Sequence, residues 1–550
     1  MKILLVIPNY GSGSYSLPSG LLAISSYLKY KGYNVTCLNL NHYNSSKLPD
    51  VLKEHNFDVI GTGGIFLYLE HTRNIIKTTR EHSPKSKIIV GGGLATGDPK
   101  FILEELKPDY LVLGEGEIAT DNLLQTLKNK SDVHSVSGVA FKDKGRFIKT
   151  SPTPLIENLD QLPYPDYEGF EYGYYLDNFN RQAQHLSSIT TSSRRRIGFV
   201  LSSRDCPARC TFCFRVMGGK YRLRSLKNLF GEIRYLVEEY NINELSLLDD
   251  MFAAHKERVI EFCETIKPMG LIWTCQLRVN IVSDDLLKAM KDSGCREVSY
   301  GFESASRAVL KSMRKGINPE LIEKAITATI KAKMSIQGNF IFGDPAENIE
   351  TMQETIDFGR KFKKTNIGFR LISPYPGTTL YENVIEKGIL TNVPAYYADP
   401  YAPVDMTSLS KIDFLYLWRK VEFENNYRRR FAFGKIINIK KTGQQTFDID
   451  VYCPHCKGGN ENYRLNFSRG SMLVCKHCYQ RFFINMADFR FGNVSQIYQY
   501  CYLNIKRIIL YNAAIHRVLF FVPTLIEKTA AICRAIVNLG MKARQLLIQT

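Results

Sequence analysis

The chain reads as an α/β protein: a Rossmann-like parallel-sheet domain, then a partial (β/α)6 barrel, then a small cysteine-rich and helical region. Three observations predict this order. Short apolar runs alternate with amphipathic helical segments twice over, glycines gather at the ends of the first set of runs, and seven of the 13 cysteines fall into two tight patterns. Such alternation favours parallel sheets covered by helices, with ligand loops at the carboxyl ends of the strands.

At 550 residues the chain exceeds one compact core, and usual domain sizes suggest roughly three or four units. A hydrophobic fraction of 44%, a charged fraction of 23% and no fixed-period repeat fit ordinary globular packing and exclude a disordered or solenoid chain. The opening MKILLVIPNYGSG lacks the longer apolar region and cleavage site of a secretory signal and reads as a first strand. The late stretch IILYNAAIHRVLFFVPTLI is interrupted by Asn512, His516, Arg517 and Pro523, a poor membrane span. A cytoplasmic, reducing location is therefore expected, in which paired cysteines bind metal rather than form disulfides. Cys37, Cys263, Cys275, Cys295, Cys501 and Cys533 are scattered and read as buried structural thiols.

Within residues 1–130 the strands are KILLVIP, NVTCLNL, DVIGTGG, SKIIVGGG and YLVLGEGE, separated by helical stretches such as LLAISSYLKYKG and TRNIIKTTREH. Gly61, Gly63 and Gly64, then Gly91, Gly92 and Gly93, then Gly114 and Gly116 stand at successive strand ends. Glycine lets a backbone approach a large ligand closely, although it also serves tight strand-to-helix turns. Gly63, Gly91, Gly92, Gly114, Glu115 and Gly116 are thus candidate cofactor contacts. Residues 131–195 read as a connector, with the Pro-rich PTPLIENLDQLPYPDYEGF and the Ser-rich HLSSITTSSRRR.

The second system, residues 196–385, has strands IGFVLSS, ELSLLDD, LIWTCQLRVN, EVSYGFES, SIQGNFIFG and GFRLISPYPG. Asn318 followed by Pro319 marks a helix start, since Asn caps free amides and proline needs no hydrogen-bond partner at the first position. Six βα units fall short of a closed barrel of eight, and the unclosed side would admit a large substrate.

At the end of the first barrel strand, CPARCTFCF gives Cys206-x3-Cys210-x2-Cys213. Soft thiolates at this spacing wrap one cluster, and three ligands on a four-iron cube leave one iron open to chelate a small molecule. The alternatives are a zinc site with a distant fourth ligand or three incidental thiols. The loop resembles the signature of radical S-adenosylmethionine (SAM) enzymes, with Phe212 in the aromatic position before the last cysteine. The likeness continues through LLDDMF, GCREVSYGFESAS, IQGNFIFGDPAEN and ISPYPGTTLYEN. It implies a 4Fe-4S cluster that, reduced by a donor such as flavodoxin or ferredoxin, cleaves SAM to a 5′-deoxyadenosyl radical that abstracts substrate hydrogen. It also implies that Glu303 accepts hydrogen bonds from the cofactor's ribose; a helix-start acid is the other reading. Gln276, Arg278 and Asn339 are candidates for the same cavity, against surface or packing roles. Asp249 and Asp250 either hold substrate or end a strand, and Tyr375 is a pocket candidate.

Beside this barrel, the order PNYGSGSYSLPSG, GTGGIF, GGGLATGDP and GEGE resembles the cobalamin-binding domain that precedes many radical enzymes, and implies a corrin across the strand ends. No Asp-x-His-x-x-Gly follows the first strand; His71, in IFLYLEHTRN, is the nearest alternative ligand, against a structural histidine near a helix start.

Residues 386–445 read as a helical extension. Within 446–486, Cys453-x2-Cys456 and Cys475-x2-Cys478 offer four thiolates on two knuckles, a zinc ribbon or, as runner-up, a rubredoxin-like mononuclear iron site. Arg464, Arg469, Lys476 and Arg481 lie nearby. Of the formal charge of +18, residues 411–550 carry 22 Lys and Arg against 8 Asp and Glu, a net +14. Residues 487–550 read as a basic amphipathic helical tail that packs on the barrel or meets an anionic membrane or nucleic acid. The expected function is a cobalamin-dependent radical C-methyltransferase acting on an unknown organic substrate. The alternatives are a radical cyclase, rearrangement or carbon–carbon coupling enzyme, with a lipid among its candidate substrates, and a nucleic-acid-binding redox regulator.

Overall fold

A computed structural model of the chain describes residues 1–11, 17–179, 196–215, 217–252, 254–443, 446–466 and 472–484. The basic tail expected at 487–550 and the Ser-rich half of the connector lie outside these residues.

The first sheet has seven strands: β1 (Lys2–Ile7), β2 (Asn34–Asn39), β3 (Val59–Gly63), β4 (Lys87–Gly91), β5 (Tyr110–Val112), β6 (Val139–Asp143) and β7 (Arg146–Lys149), in the order β2-β1-β3-β4-β5-β6-β7. β1 to β5 run parallel. Ile3 to Ile7 are all buried, the continuous apolar run of a strand covered on both faces. β6 and β7 join antiparallel, so the first sheet does not end at residue 130. Lys144 and Gly145, at φ 47° and 79°, make a two-residue turn whose twist suits a hairpin.

The barrel strands are β8 (Ile197–Val200), then a short pair β9 (Ser203–Arg204) and β10 (Arg222–Leu223), then β11 (Glu244–Leu247), β12 (Ile272–Leu277), β13 (Cys295–Glu303), β14 (Ser335–Phe342) and β15 (Asn366–Leu371). β8 and β11 to β15 form a six-stranded parallel sheet in sequential order, with β8 and β15 at its edges. Right-handed crossovers in one direction put every helix on one face, which leaves the other face as a lumen. Val298, Tyr300 and Phe302 are buried on the helix side of β13. Ser246, Thr274, Gln276, Glu297, Ser299 and Gln337 line a lumen cavity of about 120 Å³. The helix Pro319–Lys331 starts as expected, with the Asn318 side chain accepting from Leu321 N at 2.9 Å.

In the C-terminal region, the helix Lys411–Arg429 is followed by β16 (Lys435–Lys441), β17 (Thr446–Tyr452) and β18 (Gly459–Asn466), an antiparallel sheet, and by the hairpin β19 (Met472–Val474) and β20 (Arg481–Phe483). β16 pairs with β17, so the ribbon begins about ten residues before the expected 446. This unit docks on the amino-terminal end of the barrel. The buried Arg481 guanidinium donates to Glu297 at 2.5 and 2.6 Å, and Gln480 Nε2 donates to Met334 O at 2.5 Å. Among the described residues, no helix is long and apolar enough to cross a membrane.

Candidate functional site

The cysteine loop hangs between β9 and β10, whose antiparallel pairing sets Arg204 against Arg222. Its entrance is pinned by Asp249, which is fully buried. This carboxylate accepts from the amides of Ser202 and Ser203 at 2.7 and 2.5 Å and from their hydroxyls at 3.0 and 2.7 Å. Burial pushes the Asp249 carboxyl up to about 6, the four hydrogen bonds only partly opposing it. Of the two earlier readings for Asp249, the strand-end one describes its contacts, since its acceptors are spent on the loop. Asp250 turns instead toward the cysteines.

Cys206, Cys210 and Cys213 line one cavity of about 350 Å³, together with Phe212, Asp250, Gln276, Arg278, Glu303 and Lys315. Asn339 is outside this wall; it is exposed on β14, in register with Gly301 and Gly368. Glu303 ends β13 in the left-handed region at φ 62°, where the register with β14 shifts. A non-glycine residue there costs about 1–3 kcal/mol, and here the turn aims a carboxylate into the cavity. Lys315 Nζ donates to Glu303 Oε1 at 2.7 Å, and Arg278 donates to the Lys315 carbonyl at 2.7 Å. Burial works against the Lys315 charge, but Glu303 and the Cys210 sulfur outweigh it and hold its pKa above the ordinary value. A hydrogen bond with Cys213 favours the Cys210 thiolate, and Lys315 and Arg278 add to it against the cost of burial.

Lys315 was not a sequence candidate. It lies in a polar turn, KSMRKGIN, that carries no motif, and only the fold brings it to Glu303 and the thiols. Cys206 is half-buried, Cys210 buried and Cys213 exposed to the cavity. The three thiols are spread round a cavity wall with cationic neighbours, an arrangement that fits a multi-iron cluster with room for a further ligand.

Facing this cavity are the carboxyl ends of the first sheet. The glycines there pack loop on loop: a Cβ at Gly63 would stand 2.4 Å from the Gly91 oxygen, and one at Gly92 2.9 Å from the Gly64 oxygen. At Gly91 an added Cβ would meet nothing closer than Val112 O at 3.8 Å, and the nearby Ile65 is 38% exposed. Naked backbone beside an exposed apolar side chain fits a broad, flat cofactor. Gly114 donates its amide to Thr96 Oγ1 at 3.0 Å, and Gly116 packs against Ile24. Glu115 is committed elsewhere. It accepts from Arg222 at 2.8 and 2.9 Å, from Arg204 at 2.7 Å and from the Ile156 amide at 2.8 Å. Arg204 also pairs with Glu117 at 2.5 Å. These buried pairs join the first sheet to the cysteine loop, a role that the GEGE segment did not reveal. His71 meets the rings of Tyr10 and Tyr68 edge-on, and Tyr375 packs between Phe66 and Phe214.

In the ribbon, the sulfurs of Cys453, Cys456, Cys475 and Cys478 lie within 4.8 Å of one another. The Cys453–Cys478 and Cys456–Cys475 separations are 3.8 and 3.6 Å. A tetrahedron with metal–sulfur bonds of about 2.3 Å has edges of about 3.8 Å. The two knuckles match: His455 N and His477 N donate to the first sulfur of each, and Lys457 and Tyr479 both take a positive φ. Lys476 donates to the Glu461 carbonyl at 2.5 Å and Arg481 faces the barrel; the side chains of Arg464 and Arg469 lie outside the described residues.

Residues 200–359 match the radical SAM superfamily, and residues 12–124 match the B12 binding domain. The chain is 30% identical over 403 residues to an uncharacterized methyltransferase of Pyrococcus horikoshii, covering 71% of this chain and 84% of that relative. It is 25% identical over 405 residues to an anaerobic magnesium-protoporphyrin IX monomethyl ester cyclase of Rubrivivax gelatinosus, covering 70% of each. Among solved structures, the radical SAM methyltransferase TsrM of Kitasatospora setae, with cobalamin and a 4Fe-4S cluster bound, aligns at a TM-score of 0.57 and 18% identity. That alignment covers 70% of this chain and 75% of the other, a likeness of fold.

Proposed function

The chain belongs to the radical SAM superfamily and is a cobalamin-dependent enzyme of it, and from that premise we propose that it C-methylates an unactivated carbon of an organic substrate. The observation that carries this reading is the facing of two sites: the thiol-lined cavity of the barrel and the bare strand ends of the first sheet. When bound, the cluster and SAM supply a carbon-centred radical and cobalamin supplies the methyl group.

The chain's own residues would orient and exclude. Cys206, Cys210 and Cys213 would hold the cluster, with Lys315 and Arg278 favouring the thiolate form. Glu303, braced by Lys315, would anchor the nucleoside through its free carboxylate oxygen, and Gln276 would present its amide from β12. Gly91 and the neighbouring loops would receive the corrin. The polar lumen of Ser246, Thr274, Ser299 and Gln337 shares Gln276 with the thiol cavity and would take the substrate. The electron is expected from a small donor such as flavodoxin or ferredoxin, and zinc is the metal proposed for the four-thiol ribbon.

The test is anaerobic reconstitution, then incubation with methyl-labelled SAM and reductant. The expected result is 5′-deoxyadenosine together with labelled methylcobalamin, both cofactor-level events that need no known substrate. Cys206→Ala, Cys210→Ala and Cys213→Ala should each abolish 5′-deoxyadenosine formation, because the loop offers no spare thiolate. Normal cleavage in any one of them would remove that residue from the ligand set. Cleavage without label in cobalamin would favour a second reading, radical cyclisation, which the likeness to the Rubrivivax cyclase supports.

A further inference from the structure

Phe214 follows the last cysteine of the loop and borders the thiol cavity. Its ring is wedged between the two halves of the molecule. On one side is Gly93, just past β4, where a Cβ would stand 3.0 Å from Phe214 Cε1; on the other is Gly377, where a Cβ would stand 2.6 Å from Cε2. The ring also stacks on Tyr375 at 5.3 Å, and Tyr375 meets Phe66, just past β3, edge to face at 4.2 Å. Gly97 completes the seam, since a Cβ there would lie 2.7 Å from Pro376 O. Any side chain at Gly93 or Gly377 would displace the ring, and any smaller side chain at Phe214 would leave a void between them.

We propose that Phe214 is a positioning residue that couples the cluster site to the corrin site. The proposal rests on the reading that the three thiols hold the cluster and the strand ends hold cobalamin. A packed aromatic ring attached to the residue beside a cluster ligand cannot shift without moving the loops after β3 and β4. Interior packing transmits such displacements rather than absorbing them. Loading one site should therefore change affinity at the other, and by linkage the coupling is reciprocal.

The experiment measures hydroxocobalamin affinity by absorption titration, on protein with and without the reconstituted cluster. Wild-type protein should differ by about fivefold or more between the two states. In Phe214→Ala the difference should vanish while iron content is kept, and Phe214→Tyr should retain it. Gly93→Ala, which presses on the same ring from the other side, should reduce it as well. Should Phe214→Ala lose its iron, Phe214→Leu takes its place. Equal affinities in the two wild-type states, or an undiminished difference in both the Ala (or Leu) and Gly93→Ala variants, would overturn the proposal. Failure of wild-type protein to bind cobalamin or cluster at all would instead overturn the reading beneath it.

Discussion

Two acids near the cluster loop do opposite work with the same functional group. Glu303 takes a strained φ of 62° to reach the cavity, a conformation glycine would adopt freely, so the carboxylate is what the position needs. Glu303→Gln keeps the shape, removes the charge and leaves the buried Lys315 ammonium without its partner. We expect SAM affinity to fall about tenfold, near 1.4 kcal/mol, with iron content unchanged; calorimetric titration that finds no change would end the ribose-anchor role. Asp249 is not in the wall of the thiol cavity but borders the lumen cavity, and it holds the loop by four hydrogen bonds. Its carboxyl is raised from 3.8 to about 6, so the folded state binds this proton more tightly than the unfolded chain does. Its favourable contribution is full below about pH 4 and is lost as pH rises through 6, about 3 kcal/mol in all. The thermal midpoint of wild-type protein relative to Asp249→Asn should therefore decline from pH 4 to pH 6, and a flat difference would contradict the assignment.

The cysteine loop as an element belongs to both halves of the molecule. β9 and β10 close it at the neck, and Arg204 and Arg222, one from each strand, meet Glu115 of the first sheet. Removing one partner of a buried pair leaves the other charge uncompensated, at a cost of about 3–5 kcal/mol. Glu115→Ala removes the carboxylate that two guanidiniums share and leaves the Ile156 amide without its acceptor, Arg204 keeping only Glu117. It should lower the thermal midpoint markedly and release the cluster more readily, read as iron lost on gel filtration; a midpoint and iron content like wild type would mean that the clamp holds nothing. That the three cysteines of this loop line one cavity was legible because residues three and four apart in one short loop stay together. The clamp was not, since Arg222 and Arg204 lie 107 and 89 residues from Glu115, and nothing in GEGE separates a cofactor loop from an ion-pair partner. The hairpin of β6 and β7 escaped for a related reason: its few short residues are flanked by polar and Pro-rich segments that dominate the local pattern.

Across the whole molecule, what could be read from sequence was what repeats with a period or sits within a few residues: the two alternating systems, the Asn318 cap and both thiol sets. The docking of units could not be read, because it depends on single residues such as Arg481 that look like ordinary surface charge. That residue now ties the ribbon to the floor of the barrel. Arg481 is buried against Glu297, Glu297 also accepts from Ser335 Oγ at 2.9 Å, and Lys291 and Arg296 flank the ring of Tyr479 at 4.2 and 4.9 Å. Tyr479 and Arg481 both follow closely on the second knuckle, so a metal held by Cys475 and Cys478 would also order the plug. Cys475→Ala should release one equivalent of zinc or mononuclear iron and lower the melting transition of the barrel as well as of the ribbon, because Glu297 loses its buried counter-ion. The catalytic iron should stay, since Cys206, Cys210 and Cys213 lie at the opposite end of the strands. Metal analysis and calorimetry on the purified variant separate the outcomes: retention of the ribbon metal would refute the four-thiol site, loss of the cluster iron would refute the independence of the two sites, and an unshifted barrel transition would refute the plug.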